Sequence, residues 1–423
     1  MSTLSFALGR LPVWTTSTDA ELKMLLRALS ALALARAASG IVYAGRHVVV
    51  DAGDVVCDVF SYGAVGDGVA DDTAALQRAI TACAAGGGTT LLPSNGTFLS
   101  FGLSVPPSAR GFALRVEGVL RFSNDTARWP KGAKACLVVG GAHIALVGHG
   151  VVDGQGAAWW PCAKAGCPRP DLVNAQDVQD LLVANTTYKD SPNHNLELYA
   201  SPQELDRVTI LAPDSANVPV PSHNTDGVDV HGSPAYIHDC HISVGDDHVA
   251  MHANDTLVEN CIFGTGHGAS IGSLGFGTAL KNITVRACSF DGAAQALRIK
   301  ADTQSSGFLR DVLYADLELK DCEQSVMLIM NYDKGGESES TMQISNVSFT
   351  GIHASGTVGV AGQLLCSKLA PCEGLVVSDV THATQPKAAW TCEYAHGTTS
   401  GSLPPPTCLE PMAAAAAAAA AAR

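Results

Sequence analysis

The sequence predicts an all-β protein, a single-domain right-handed parallel β-helix with an N-terminal capping helix, and three observations predict it. First, one short motif recurs after residue 200: an apolar residue, two variable ones, Cys or Val, one variable, then an apolar residue or His. Its copies are Leu205-Asp-Arg-Val208-Thr-Ile210, Ile237-His-Asp-Cys240-His-Ile242, Val258-Glu-Asn-Cys261-Ile-Phe263 and Val285-Arg-Ala-Cys288-Ser-Phe290, with weaker ones starting at Leu309, Ile344 and Val377. The intervals fall in the range of roughly 20–50 residues at which one supersecondary unit stacks on its neighbours. Second, the copies are β-branched, aromatic or Cys with no helical period, and Gly, Asn and Asp cluster between them. Strands repeating without intervening helices fit a parallel solenoid, each coil burying its inward side chains against the next, and parallel crossovers are right-handed. Third, a chain of 423 residues that is 47% hydrophobic and 16% charged can bury a long core.

From the N-terminus, residues 1–37 read as a presequence. MLLRALSALALARAASG has the apolar stretch and small-residue site of a signal peptide, with the functional start at Met24. Its apolar run is too short to cross a bilayer as a stable helix, so no membrane span is expected. The segment 71–83, DDTAALQRAITAC, opens with capping aspartates and carries apolar residues on one face, which predicts a helix covering the open end of the solenoid. Residues 38–410 form the β-helix domain, with no linker inside it. Residues 411–423 are a low-complexity alanine tail.

The cysteines divide by position. Cys240, Cys261 and Cys288 share one slot of the repeat and predict a buried stack of thiols. Cys162 with Cys167, Cys366 with Cys372, and Cys392 with Cys408 predict local disulfides in an oxidising compartment. Secretion, to the cell exterior or the cell wall, would also make glycan acceptors of the sequons at Asn95, Asn124, Asn185, Asn254, Asn282 and Asn346.

The formal net charge is −14 with scattered Lys and Arg, which excludes a nucleic-acid footprint. Against that background a few charged residues recur one coil apart. Asp226 is followed by Asp246 and Asp247 in ISVGDDHVAM, then by His267 in GTGHGAS, then by Arg298 and Lys300 in ALRIKAD. A coil step is about 4.8 Å, so these groups share one surface, and both adjacent aspartates are expected to face an open groove. Arg298 and Lys300, two apart on one strand, point the same way. Three acids with a histidine and two cations suit hydrolysis of a glycosidic bond in an acidic sugar. One crowded carboxyl keeps a proton for the leaving oxygen, another activates water, and the cations meet the substrate carboxylate. His238, His241, His248 and His252 match no standard zinc spacing, and Gly264-Thr-Gly266 is followed by no helix, so neither a metal nor a dinucleotide cofactor is expected.

Asn224-Thr225-Asp226-Gly227, Gly245-Asp246-Asp247, Gly266-His267-Gly268 and Arg298-Ile299-Lys300, in this order, resemble the signature segments of the polygalacturonase family of pectin-degrading glycoside hydrolases. Supporting similarity extends through DVFSYGAVGDGVADDTAALQRAI, GVVDGQGAAWW, SPNHNLEL and SIGSLG. The resemblance implies an inverting hydrolase of α-1,4 bonds between galacturonates in an acidic polysaccharide, without a metal cofactor; a monomer is expected. It implies Asp246 as general acid, Asp226 and Asp247 as the pair that positions and deprotonates water, and His267 as support for the acid's protonation or as a group that holds the substrate. Arg298 and Lys300 would bind galacturonate, with Asn224, Tyr332, Asn193 and His194 as further substrate contacts.

One departure stands out. In many relatives a cysteine follows the paired aspartates and bonds to another four residues before the histidine, where this chain has His248 and Phe263. His248 is expected to modulate the acid pair. Other readings stay open: a pectate or pectin lyase on the same fold, which would use calcium, a hydrolase of rhamnogalacturonan or of methylated pectin, endo or exo action, and a non-catalytic carbohydrate-binding β-helix.

Overall fold

A computed structural model describes residues 47–213 and 221–411. The expected presequence, with its proposed start at Met24, and the alanine run lie outside the described residues. Three parallel sheets wind around one core, and each strand pairs with the equivalent strand of a neighbouring coil. One coil is Val228–Val230, Ala235–His238 and His241–Ser243; the next is Val249–Met251, Thr256–Glu259 and Ile262–Phe263. Their registers, Val228↔Val249, Ala235↔Thr256 and His241↔Ile262, are parallel throughout. The fold is the right-handed parallel β-helix expected.

The sequence makes coils because each strand alternates inward apolar residues with outward polar ones. Along the first sheet the inward pairs are Val228/Val230, Val249/Met251, Ala269/Ile271 and Leu297/Ile299, all buried. Along the third sheet Ile210, Ile242, Phe263 and Phe290 are register partners and fully buried. Each such side chain contributes about 1.5–3 kcal/mol. The corner into the third sheet is a single left-handed residue. Asn185, Arg207, Asp239, Asn260, Ala287 and Asp316 hold φ between 51° and 62° there, a conformation that, among residues with a side chain, Asn and Asp tolerate best.

That corner explains the sequence motif, because its second variable position is the left-handed residue and the Cys or Val follows it. It also corrects the weaker copies. Leu309 pairs with Leu280 and Ile344 with Leu309, while Val285 pairs with Tyr314 and Phe349 with Val377. The copies at Leu309 and Ile344 therefore mark the corner at the other end of the second sheet, where Asp311 and Asn346 are left-handed. The same chemistry serves both corners, so the motif alone does not tell them apart.

The helix (α1) runs Thr73–Gly86 and buries Ala75, Leu76, Ala79, Ile80, Cys83 and Ala84. Only one of the two aspartates caps it. Asp71 accepts the Thr73 N–H at 3.1 Å, whereas the Asp72 carboxylate turns back to the N–H groups of Val65 and Gly66, at 2.6 and 3.1 Å.

Cys240, Cys261 and Cys288 are free and buried in one column, as expected. The three expected disulfides are present, and a fourth, Cys57–Cys83, ties the helix to the first strand. It closes a span of 26 residues, so the Cys57→Ser/Cys83→Ser variant is expected to lose roughly 3–4 kcal/mol in the chain-entropy account. Denaturant unfolding of the oxidised protein and the variant measures this directly.

Candidate active site

The register that builds the core also builds the site. Val228, Val249 and Ala269 are partners in the first sheet, so the residues two positions earlier, Asp226, Asp247 and His267, come together at the start of successive strands. On the strands the outward residues Glu197, Asp229, Ala250, Ser270 and Arg298 form one column. ISVGDDHVAM is not one strand. It leaves the third sheet at Ser243, turns through residues 244–248 and enters the first sheet at Val249. Gly245 lets that corner close, since a Cβ there would stand 2.2 Å from Ser222 Oγ.

The two aspartates have different surroundings, which corrects the expectation that both face an open groove. Asp247 is 1% exposed. Its Oδ1 accepts from Arg298 Nη1 and Ser270 Oγ, both at 2.7 Å, and its Oδ2 from Lys300 Nζ at 2.6 Å. Arg298 and Lys300 are themselves buried, so in the free protein the cations neutralise Asp247 instead of standing open. Arg298 Nη2 also donates to Tyr332 Oη at 3.1 Å, and both cations lie 5.2 Å from the centre of that ring.

Asp246 is half-buried and meets His267, with Oδ1 2.9 Å from Nδ1. Burial pushes its pKa up, but the hydrogen bond and charge of His267, with Lys300 and Arg298 beyond, bring it below the usual carboxylate range. For His267, burial works against the charged form and Asp246 outweighs it, so its pKa rises. The two groups therefore form an ion pair, with the proton on His267 Nδ1 donated to Asp246. Asp226 goes the other way: burial first, then the negative charge of Asp246, push it up to about 7. The crowded acids hold one proton too many to be fully ionised at neutral pH, as like charges in a dry site must.

The remaining expected residues lie beside these. His194 Nε2 is 3.7 Å from Asp226 Oδ1, and its Nδ1 is 2.8 Å from Glu197. Burial opposes its charge, yet Glu197, Asp226, Asp229 and Asp171 together raise its pKa to about 10. Asn193 donates to Asp171 at 2.8 Å, and the exposed Asn224 accepts from Arg169 Nη2 at 2.9 Å.

Sequence reasoning missed Ser270, Arg169, Glu197, Asp229 and His231. Ser270 shares Asp247, Arg169 fixes Asn224, and His231 binds Glu197 at 2.9 Å while stacking between Tyr199 and His252. For Glu197, Asp229 and Ser270 the signal was present: each is the outward residue of an alternating strand. Asp246, Asp247 and His267 could each offer one atom to a metal ion. Because Asp247 already accepts from two fixed cations, that set fits a calcium ion poorly.

A face of the sheet carrying crowded carboxyls with a retained proton, a histidine on one of them and cations alongside defines an acid/base hydrolase of glycosidic bonds. The chain belongs to glycosyl hydrolases family 28, whose sequence model matches residues 86–402. It is 30% identical over 368 residues to a polygalacturonase of Juniperus ashei, covering 80% of this chain and 69% of the relative. Among solved structures it resembles the polygalacturonase of Erwinia carotovora ssp. carotovora, with a TM-score of 0.70 at 23% identity, covering 84% of this chain and 99% of that one. Endopolygalacturonase I of Stereum purpureum, solved with two galacturonates, gives a TM-score of 0.59 at 21% identity, covering 74% and 94%.

Proposed function

We propose that this glycoside hydrolase cleaves α-1,4 bonds between galacturonate residues of pectin by an inverting mechanism, as a secreted single chain. The observation that carries this is the 2.9 Å contact of Asp246 with His267 beside a second, buried carboxyl, Asp226, whose pKa burial and the charge of Asp246 push up to about 7, with cations behind them. The coupled acids have two arrangements of one proton. With the proton on Asp226, the free site is at rest. With it on Asp246, that residue protonates the leaving oxygen while Asp226, with Asp247, takes a proton from water on the opposite face of the sugar. Arg298 and Lys300 share the single carboxylate of Asp247, and the one positive charge left in excess is what an acidic protein offers a polyanion here. Four disulfides fit an oxidising compartment, and the exposed Asn95 and Asn124 are the sequons best placed for glycans. Asn346 Nδ2 is instead bonded to Asp311 in a coil corner.

The test is incubation with polygalacturonate followed by product sizing. New reducing ends without an unsaturated sugar are expected; an unsaturated product would replace this reading with a lyase, and binding without release with a carbohydrate-binding protein. The acid form of Asp226 and Asp246 loses its last proton as pH rises through about 7. The rate kcat/KM is therefore expected to fall about tenfold per pH unit above that point, on the alkaline side of a bell-shaped profile.

A further inference from the structure

We propose that His248 is a positioning residue that grips the loop carrying His267 from both sides and so sets the geometry of the Asp246–His267 pair. The inference rests on the reading of that pair as the proton donor. The His248 ring is fully buried against Phe263 and Phe290, with centroids 5.1 and 6.1 Å away. Its Nδ1 lies 3.0 Å from the Gly268 N–H, so that nitrogen is the acceptor and the ring proton is on Nε2. Nε2–H points between the carbonyls of Gly264 and Thr265, each at 3.0 Å.

One neutral imidazole thereby binds the chain before and after His267. Between these anchors Gly266 passes so close that a Cβ would stand 2.7 Å from His248 Nε2. The loop ends on Asp246, where the His267 N–H donates to the Asp246 carbonyl at 2.8 Å and Nδ1 meets the carboxylate. A disulfide between positions 248 and 263 would tie the chain down ahead of this loop only. The imidazole holds both ends and needs no oxidant, but it is sensitive to protons: a hydrogen on Nδ1 would face the Gly268 N–H. Asp247 and His267 are the charged neighbours, the first favouring protonation and the second opposing it, and burial keeps the ring neutral down to about pH 4.

The test compares wild type with His248→Ala and His248→Gln by kinetics on polygalacturonate, by the NMR titration of His267 and by hydrogen exchange of the Gly268 amide. In His248→Ala, kcat is expected to fall about 10–100-fold with little change in KM, as for a misplaced catalytic group. The His267 titration should move back toward its ordinary value, and Gly268 should exchange at least about 100-fold faster. His248→Gln, which can still donate and accept, should recover most of each. The NMR and exchange arms do not depend on the substrate, so they stand if polygalacturonate proves to be the wrong polymer. Unchanged titration and exchange in His248→Ala would overturn the proposal. Should that variant fail to fold, wild type alone decides: protection of Gly268 lost as pH falls through about 4 supports it, and protection unchanged well below that overturns it.

Discussion

Asp246→Asn is expected to lower kcat on polygalacturonate by about 10²–10⁴-fold, the range a general acid contributes, with KM nearly unchanged and the fold intact. The fold should hold because the new amide oxygen can keep both local bonds. In the native site Asp246 Oδ1 accepts from the Asp247 N–H at 2.9 Å and from His267 Nδ1 at the same distance. What the amide lacks is a transferable proton and a negative charge. Losing that charge also acts on Asp226, which the Asp246 carboxylate helps to hold protonated. In the variant the Asp226 titration should therefore move down, visible by carboxyl NMR even when turnover is undetectable. Full activity in Asp246→Asn would move the acid role to Asp226, the carboxyl that holds the proton in the free site.

Much of this was legible in the sequence because a solenoid turns sequence interval into spatial neighbourhood. The copies at Leu205, Ile237, Val258 and Val285 lie in register, so residues a coil apart in the chain are neighbours in space, and Asp226, Asp246 and His267 are found together. The reading failed where a local pattern serves two places or where partners come from other coils. The segments at Leu309 and Ile344 match the motif although they lie at the other corner, because both corners turn on one left-handed residue, most often Asn or Asp. Asp72 looks like a cap, yet it is drawn to Val65 and Gly66. The burial of Asp247 depends on side chains 51 and 53 residues away, and nothing near Asp247 announces it. His248 was visible as a departure, but its role required knowing which loop its two nitrogens meet.

Asp247→Ala is expected to cost about 3–5 kcal/mol of stability, as removal of one partner from a buried ion pair does, because it leaves Arg298 and Lys300 buried without a counter-charge. Activity should fall as well, since the same carboxylate is proposed to help position water. The two losses have different origins and can be separated. If the stability loss comes from orphaned cations, adding Lys300→Met to Asp247→Ala should recover part of it, because one unpaired charge is replaced by an apolar chain of similar length. Turnover should not recover, since neither the carboxylate nor a cation for the substrate has returned. Chemical denaturation of the single and double variants measures the first effect, and reducing-end assays measure the second. A double variant less stable than Asp247→Ala would mean that Lys300 is held by its own packing and its contact with the Tyr332 ring, and that Asp247 is there for the chemistry alone.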